Sequence, residues 1–205
     1  MFIIVRIIIC CVFFLIPLTL MRLFGILHRN RTFFISIMLS IVVLSISSVV
    51  PFENLLFTFN TPEEVYLYSH IGKHNIVLIV EGNNSALVID QKNNKDYLFY
   101  MVPKDDQGWK IGIGTDMKYV SNQIIGELAI NVYQFKCSDD YYIQIDHIHG
   151  TPLMLADEYN SCFYPLKRID YFGKENYSYF ACVQFNNSKY SIIIDGIDVC
   201  IALND

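Results

Sequence analysis

The first fifty residues contain no aspartate, glutamate or lysine; Arg6, Arg22, Arg29 and Arg31 carry all of their formal charge. The chain also lacks the short motifs that announce common chemistries. There is no H-E-x-x-H, G-x-S-x-G, Walker loop or C-x-x-C, which removes the sequence signatures of zinc proteases, serine hydrolases, P-loop nucleotide enzymes and dithiol oxidoreductases. Gly112 and Gly114 stand two apart in "GIGTDM", but the third glycine of a dinucleotide loop is missing. A basic surplus is absent from the rest of the chain. Residues 51–205 hold 11 basic and 20 acidic side chains, a net charge of −9. An acidic domain has no electrostatic footprint for a phosphate backbone, so no nucleic-acid partner is expected.

What is present at the N-terminus is apolar. Residues 2–21, "FIIVRIIICCVFFLIPLTLM", are interrupted only by Arg6 and Thr19, and residues 33–50, "FFISIMLSIVVLSISSVV", carry no charge. A bilayer core takes about 20 apolar residues of helix, and both runs reach that range. The reading is therefore a transmembrane helix over 1–21, a basic cytoplasmic loop over 22–32 and a second transmembrane helix over 33–50. Short basic loops are retained on the cytoplasmic side, which places 51–205 outside the cytoplasm of a two-span cell-membrane protein. The alternative is a signal peptide, either at the first run, which no small-x-small pattern follows, or with a cut near Ser47 and Ser48.

After Pro51 the periodicity changes. "FNTPEEVYLYSHIG" predicts a short helix over 62–71, with Thr61 as N-cap, Pro62 at the first position, Glu64 closing a capping box and Gly72 as the stop. Beyond it the sequence reads as strand. "NIVLIVEG", "SALVID", "KDYLFYMVP" and "WKIGIG" predict a four-stranded meander over 75–114, joined by Asn- and Gly-rich turns. "DMKYVSNQII" is ambiguous between a loop and one helical turn. Strands resume at 127–136 and 141–148, and further runs continue to the C-terminus, with "FNNSKY" marking a hairpin. The fold class is thus a mainly-β antiparallel sandwich or meander over 51–205, with one short N-terminal helix, behind two transmembrane helices. "EGNNSALVID" at 81–90 and "HGTPLMLAD" at 149–157 echo one another and raise a duplicated β unit.

Candidates for chemistry are few. His147 and His149 in "DHIHG" share a face if the strand is regular, and Asp157 and Glu158 could add oxygens to a metal site. Two polar residues on a solvent face explain the same pair, so no metal is expected. Cys137, Cys162, Cys182 and Cys200 permit three disulfide pairings between which sequence cannot choose; each also suits a small buried thiol. The many tyrosines and phenylalanines fill a β core or, interleaved with polar residues, line a ligand groove.

The join "PFENLLFTFNTPEEVYLY", leading into "VLIVEGNNSALVI", resembles small uncharacterised membrane-anchored proteins of low-GC Gram-positive bacteria. The likeness spans roughly residues 33–113. It implies a tether and a domain outside the cytoplasm, and it carries over no activity. The functional expectation is a non-enzymatic accessory or binding module, with the lipid bilayer and an envelope protein or peptide as partners and no cofactor. The alternative is an envelope hydrolase with a His147/His149 metal site.

Overall fold

The computed structural model describes residues 2–23, 29–49, 51–92, 97–113, 116–136, 138–148, 151–169, 174–184 and 189–203. Two helices come first, α1 (Phe2–Leu23) and α2 (Arg29–Val49). They lie side by side, with Phe14 edge-on to Phe33 at 6.1 Å between ring centroids. Hydroxyls that would otherwise break the apolar surface fold back onto the helix: Thr19 Oγ1 donates to Ile16 O at 2.9 Å and Ser40 Oγ to Ser36 O at 2.9 Å. Ile8, Leu15, Phe34 and Met38 are among the apolar side chains left exposed.

Among the described residues, no helix is long and apolar enough to cross a membrane. This corrects the two expected transmembrane helices, and with them the cell-membrane placement with 51–205 outside the cytoplasm. The basic residues are not confined to a loop over 22–32. Arg22 lies in the last turn of α1, and α2 begins at Arg29 and so includes Arg31. Arg6 is engaged by the β-rich part of the chain: its Nε donates to Glu53 Oε1 at 3.3 Å, and Glu53 is fully buried.

Glu53 belongs to a 3-10 turn, η1 (Phe52–Leu55), followed by α3 (Pro62–Ser69). The expected cap is present. Glu64 N donates to Thr61 Oγ1 at 3.2 Å, and the Glu64 carboxylate accepts from Asn60 N at 2.9 Å. The helix stops before Gly72, at Ser69, where the chain turns extended at His70.

Among the described residues twelve strands follow, in three antiparallel sheets. The first sheet is β1 (Ile76–Glu81), β2 (Ser85–Gln91), β3 (Tyr97–Asp105) and β4 (Gly108–Trp109), in sequence order. The second contains β5 (Met117–Ile125), β6 (Leu128–Phe135), β7 (Asp140–His147), β9 (Tyr164–Ile169) and β10 (Glu175–Gln184), in the order β5-β6-β7-β10-β9. The third is β12 (Ile197–Ala202), β11 (Lys189–Ile194) and β8 (Leu155–Asp157). The mainly-β antiparallel expectation holds, and α3 is the one α-helix after Pro51 among the described residues. The ambiguous "DMKYVSNQII" is strand β5.

The sheets stack, and burial shows why. In β2 every residue from Ser85 to Asp90 is buried, because both faces are covered. Ala86 and Val88 pack with Val65, Tyr66 and Tyr68 of α3. Leu87 and Ile89, on the other face, pack with Tyr142 of β7 and Phe180 of β10. The far face of the second sheet supplies Ile143, Ile145, Tyr179, Ala181 and Val183 to a third core with Tyr190, Ile192 and Ile201 of the third sheet. The order of layers is α3, first sheet, second sheet, third sheet.

"FNNSKY" does not make the expected hairpin. Its flanking strands, β10 and β11, lie in different sheets, and residues 185–188 lie outside the described residues. The hairpin occurs one turn later, at Asp195 and Gly196, whose φ values of 49° and 83° are those of a two-residue Asp-Gly turn. The echo between 81–90 and 149–157 has no structural counterpart in pairing. β2 lies between β1 and β3, whereas β8 is a three-residue edge strand.

Candidate functional site

Besides Glu53, three buried carboxylates among the described residues are structural: Asp90, Asp140 and Asp157. Asp90, beneath α3, accepts from Tyr66 Oη at 2.8 Å and Asn75 N at 2.6 Å, and His74 Nδ1 lies 3.3 Å away. Burial alone would raise the Asp90 carboxyl, but these bonds outweigh it and hold it below its ordinary value. Asp140, between the first and second sheets, accepts from Asn83 N at 3.0 Å, Asn84 N at 2.8 Å and Ser85 Oγ at 2.7 Å. Asp157, in the third sheet, accepts from the Tyr190 hydroxyl and from Ser161 N.

Those assignments settle where the sequence-predicted candidates stand. His147 ends β7, with Nδ1 3.0 Å from Thr151 O. His149 and Cys137 lie outside the described residues. Asp157 is committed to Tyr190 and Ser161, and Glu158 is exposed in the following turn. Among the described residues, no group of three His, Cys, Asp or Glu could hold a metal ion. Cys162, Cys182 and Cys200 are free thiols. Burial, with the Asp140 charge beside it, pushes the Cys182 thiol up to about 12.

A different constellation lies on the second sheet, on the face that carries Tyr142 and Phe180. It begins with an irregularity in β5. Tyr119 pairs with Tyr133 and Asn122 with Asn131, and the register shifts between Tyr119 and Ser121. The extra residue is Val120, a β-bulge. Val120 packs into the third-sheet core, and Ser121 Oγ donates to Ala202 O of β12 at 2.8 Å. With both turned to that side, Tyr119 and Asn122 share the opposite face, although regular alternation would separate them.

From there a row of polar side chains crosses the sheet. Asn131 Oδ1 accepts from Tyr119 Oη at 3.4 Å and from Asn122 Nδ2 at 2.7 Å. Tyr133 Oη donates to Gln144 Oε1 at 3.5 Å, and Gln144 Nε2 to Asp146 Oδ2 at 2.7 Å. Asp146 Oδ1 accepts from Arg168 Nη2 at 2.8 Å and from the Ser178 hydroxyl. The Arg168 guanidinium sits 5.3 Å from the ring centre of Tyr97 on β3, a cation–π contact that closes the row against the first sheet. Burial, then Tyr119 and Asp146, raise the Tyr133 phenol, so it stays a neutral donor.

The row is graded in exposure. Tyr119 is 53% exposed and Asn122 is exposed, Asn131 and Tyr133 are half-buried, and Gln144 and Ser178 are buried. Its open end is therefore on β5 and β6, past the area that the first sheet covers. Asp146 receives three hydrogen bonds, one of them from the Arg168 guanidinium, which compensates its charge. Chemically the row can bind through amides, hydroxyls and aromatic faces.

These residues form no recognisable motif in the sequence. The available signal was polar amides inside otherwise apolar strands, Asn131 in "AINVYQF" and Gln144 in "YYIQID", which turn out to be direct cross-strand partners. The Val120 bulge hid the β5 members. No family model, curated protein or solved structure matches the chain.

Proposed function

We propose that the β-rich part of the chain is a non-enzymatic binding module and that the row from Tyr119 to Arg168 is its recognition surface. One observation carries the reading: polar and aromatic side chains form a row across a sheet face, two hydrogen-bonded groups joined by the Tyr119–Tyr133 ring contact, and its open end lies on β5 and β6. Folding alone has no use for such a row at that place, since apolar side chains could extend the core there. Hydrogen bonds and ring contacts among its members also restrain them, which lowers the entropic cost of holding a ligand. The engagement of Asp146 by Arg168, Ser178 and Gln144 supports binding over catalysis.

The test is residue-resolved NMR of the full chain during titration with two probe panels, soluble oligosaccharides and short unstructured peptides. Shifts confined to Tyr119, Asn122, Asn131 and their neighbours support the row as the recognition surface. Shifts confined to another face, or none with either panel, would refute it.

A further inference from the structure

We infer that the ligand of this row is a neutral saccharide, an inference that rests on the row being the recognition surface. Three observations converge on the open end.

The first is charge. The row contains one acid and one base, Asp146 and Arg168, and they are paired at 2.8 Å with the Arg168 side chain 31% exposed and that of Asp146 18%. No unpaired cation is offered to an anion, and residues 51–205 carry a net charge of −9. Anionic ligands are therefore repelled at long range and unmatched at contact. A cationic ligand would find no uncompensated carboxylate in the row.

The second is the hydrogen-bonding inventory. Asn122 uses one amide hydrogen on Asn131 Oδ1, which leaves its own Oδ1 and its second hydrogen for a ligand. Asn131 spends its oxygen on Tyr119 and Asn122 and retains its amide nitrogen. Neutral donors and an acceptor thus stand beside one another on two paired strands. Adjacent sugar hydroxyls, each donor and acceptor at once, match such a set. An extended peptide would instead seek backbone groups at a strand edge, and these residues present side chains from a sheet face.

The third is the ring. Tyr119 is 53% exposed and stands edge-to-face with Tyr133 at 5.6 Å. Its hydroxyl is held by the same Asn131 oxygen that holds Asn122. An aromatic face and two amides are thereby fixed around one atom. A pyranose has an apolar C–H face and a polar hydroxyl rim, so one sugar ring can use both kinds of surface at once.

The test is a binding screen on the full chain. Its neutral probes are β-1,4-linked glucose oligomers, β-1,4-linked N-acetylglucosamine oligomers and α-linked mannose oligomers. Sulfated and sialylated oligosaccharides and unstructured peptides serve as controls. The expected result is saturable binding of at least one neutral oligosaccharide, at least tenfold weaker in Tyr119→Ala and in Asn122→Asp. Both residues are exposed, and unchanged melting of the two variants shows that the loss is not unfolding. Asn122→Asp keeps the shape and removes the donor. Peptides or charged glycans that shift the row, with neutral glycans silent, would overturn the saccharide inference and leave the recognition surface standing. Silence of the row toward every probe would overturn both. Binding of a neutral glycan that survives both substitutions would also overturn the inference.

Discussion

Gly82 and Asp140 meet where the first sheet rests on the second: a Cβ on Gly82 would lie 2.7 Å from the Asp140 carboxylate and 2.8 Å from Cys182 Sγ. The missing side chain lets the turn after β1 descend onto the carboxylate, which then gathers the amides of Asn83 and Asn84 and the hydroxyl of Ser85. Gly82→Ala is expected to force these groups apart at a cost of about 1–3 kcal/mol, typical of an overpacked site. Asp140→Ala leaves several donors unmatched and is expected to cost about 3 kcal/mol or more. Urea unfolding of the two variants checks this; wild-type midpoints for both would show that the clamp contributes nothing.

Arg6 and Glu53 form the one charged link described between α1 and the β-rich part, with Glu53 fully buried. Removing only the arginine leaves a buried carboxylate without its cation. Arg6→Ala is expected to destabilise by about 3–5 kcal/mol. Glu53→Gln in the same background should restore part of that loss, since the neutral amide tolerates burial better. A double-mutant cycle by thermal unfolding measures the pair; additive effects would rule out the coupling.

The cluster under α3 predicts acid sensitivity. His70 stacks on Tyr66 at 4.2 Å and meets Tyr100 edge-on at 4.7 Å, with His74, Ser69 and Asp90 completing its surroundings. Burial, reinforced by His74, lowers the His70 imidazole despite its contact with Tyr66 O. A histidine with a depressed folded value binds fewer protons in the folded state. Its contribution is complete above the unfolded value of about 6.5 and is lost as pH falls from there toward the folded value. Asp90 is also held low, and its contribution is lost further down, as pH falls below about 4 through its own folded value. Melting temperature should therefore decline in two stages on acidification. His70→Phe should abolish the upper stage and keep the lower; an unchanged upper stage would assign it to another group.

Cysteine reactivity should divide by environment. Cys11, Cys162 and Cys200 are exposed, whereas Cys182 packs against Asp140 and Tyr142 with its thiol pushed up to about 12. At pH 8 a thiol shifted that far is almost wholly protonated and slow to attack. Iodoacetamide labelling followed by mass spectrometry should modify Cys162 and Cys200 in the folded protein well before Cys182. Equal rates would contradict the burial of Cys182.

Local chemistry was legible wherever it depends on neighbours in sequence. Thr61, Pro62 and Glu64 determine where α3 starts because a cap is decided within one turn. The strand runs were equally readable. Tertiary structure alone decided the rest. "SALVID" reads as a strand, but only the layers on both sides make all six of its residues buried. "FNNSKY" reads as a hairpin, yet the strands on either side of it, β10 and β11, lie in different sheets. Asp140 has no recognisable role until Asn84, 56 positions away, is brought to it. The row from Tyr119 to Arg168 is the sharpest case. A single bulged residue, Val120, reverses the facing of half a strand, and its cause is burial against the third sheet, which no local pattern in β5 records.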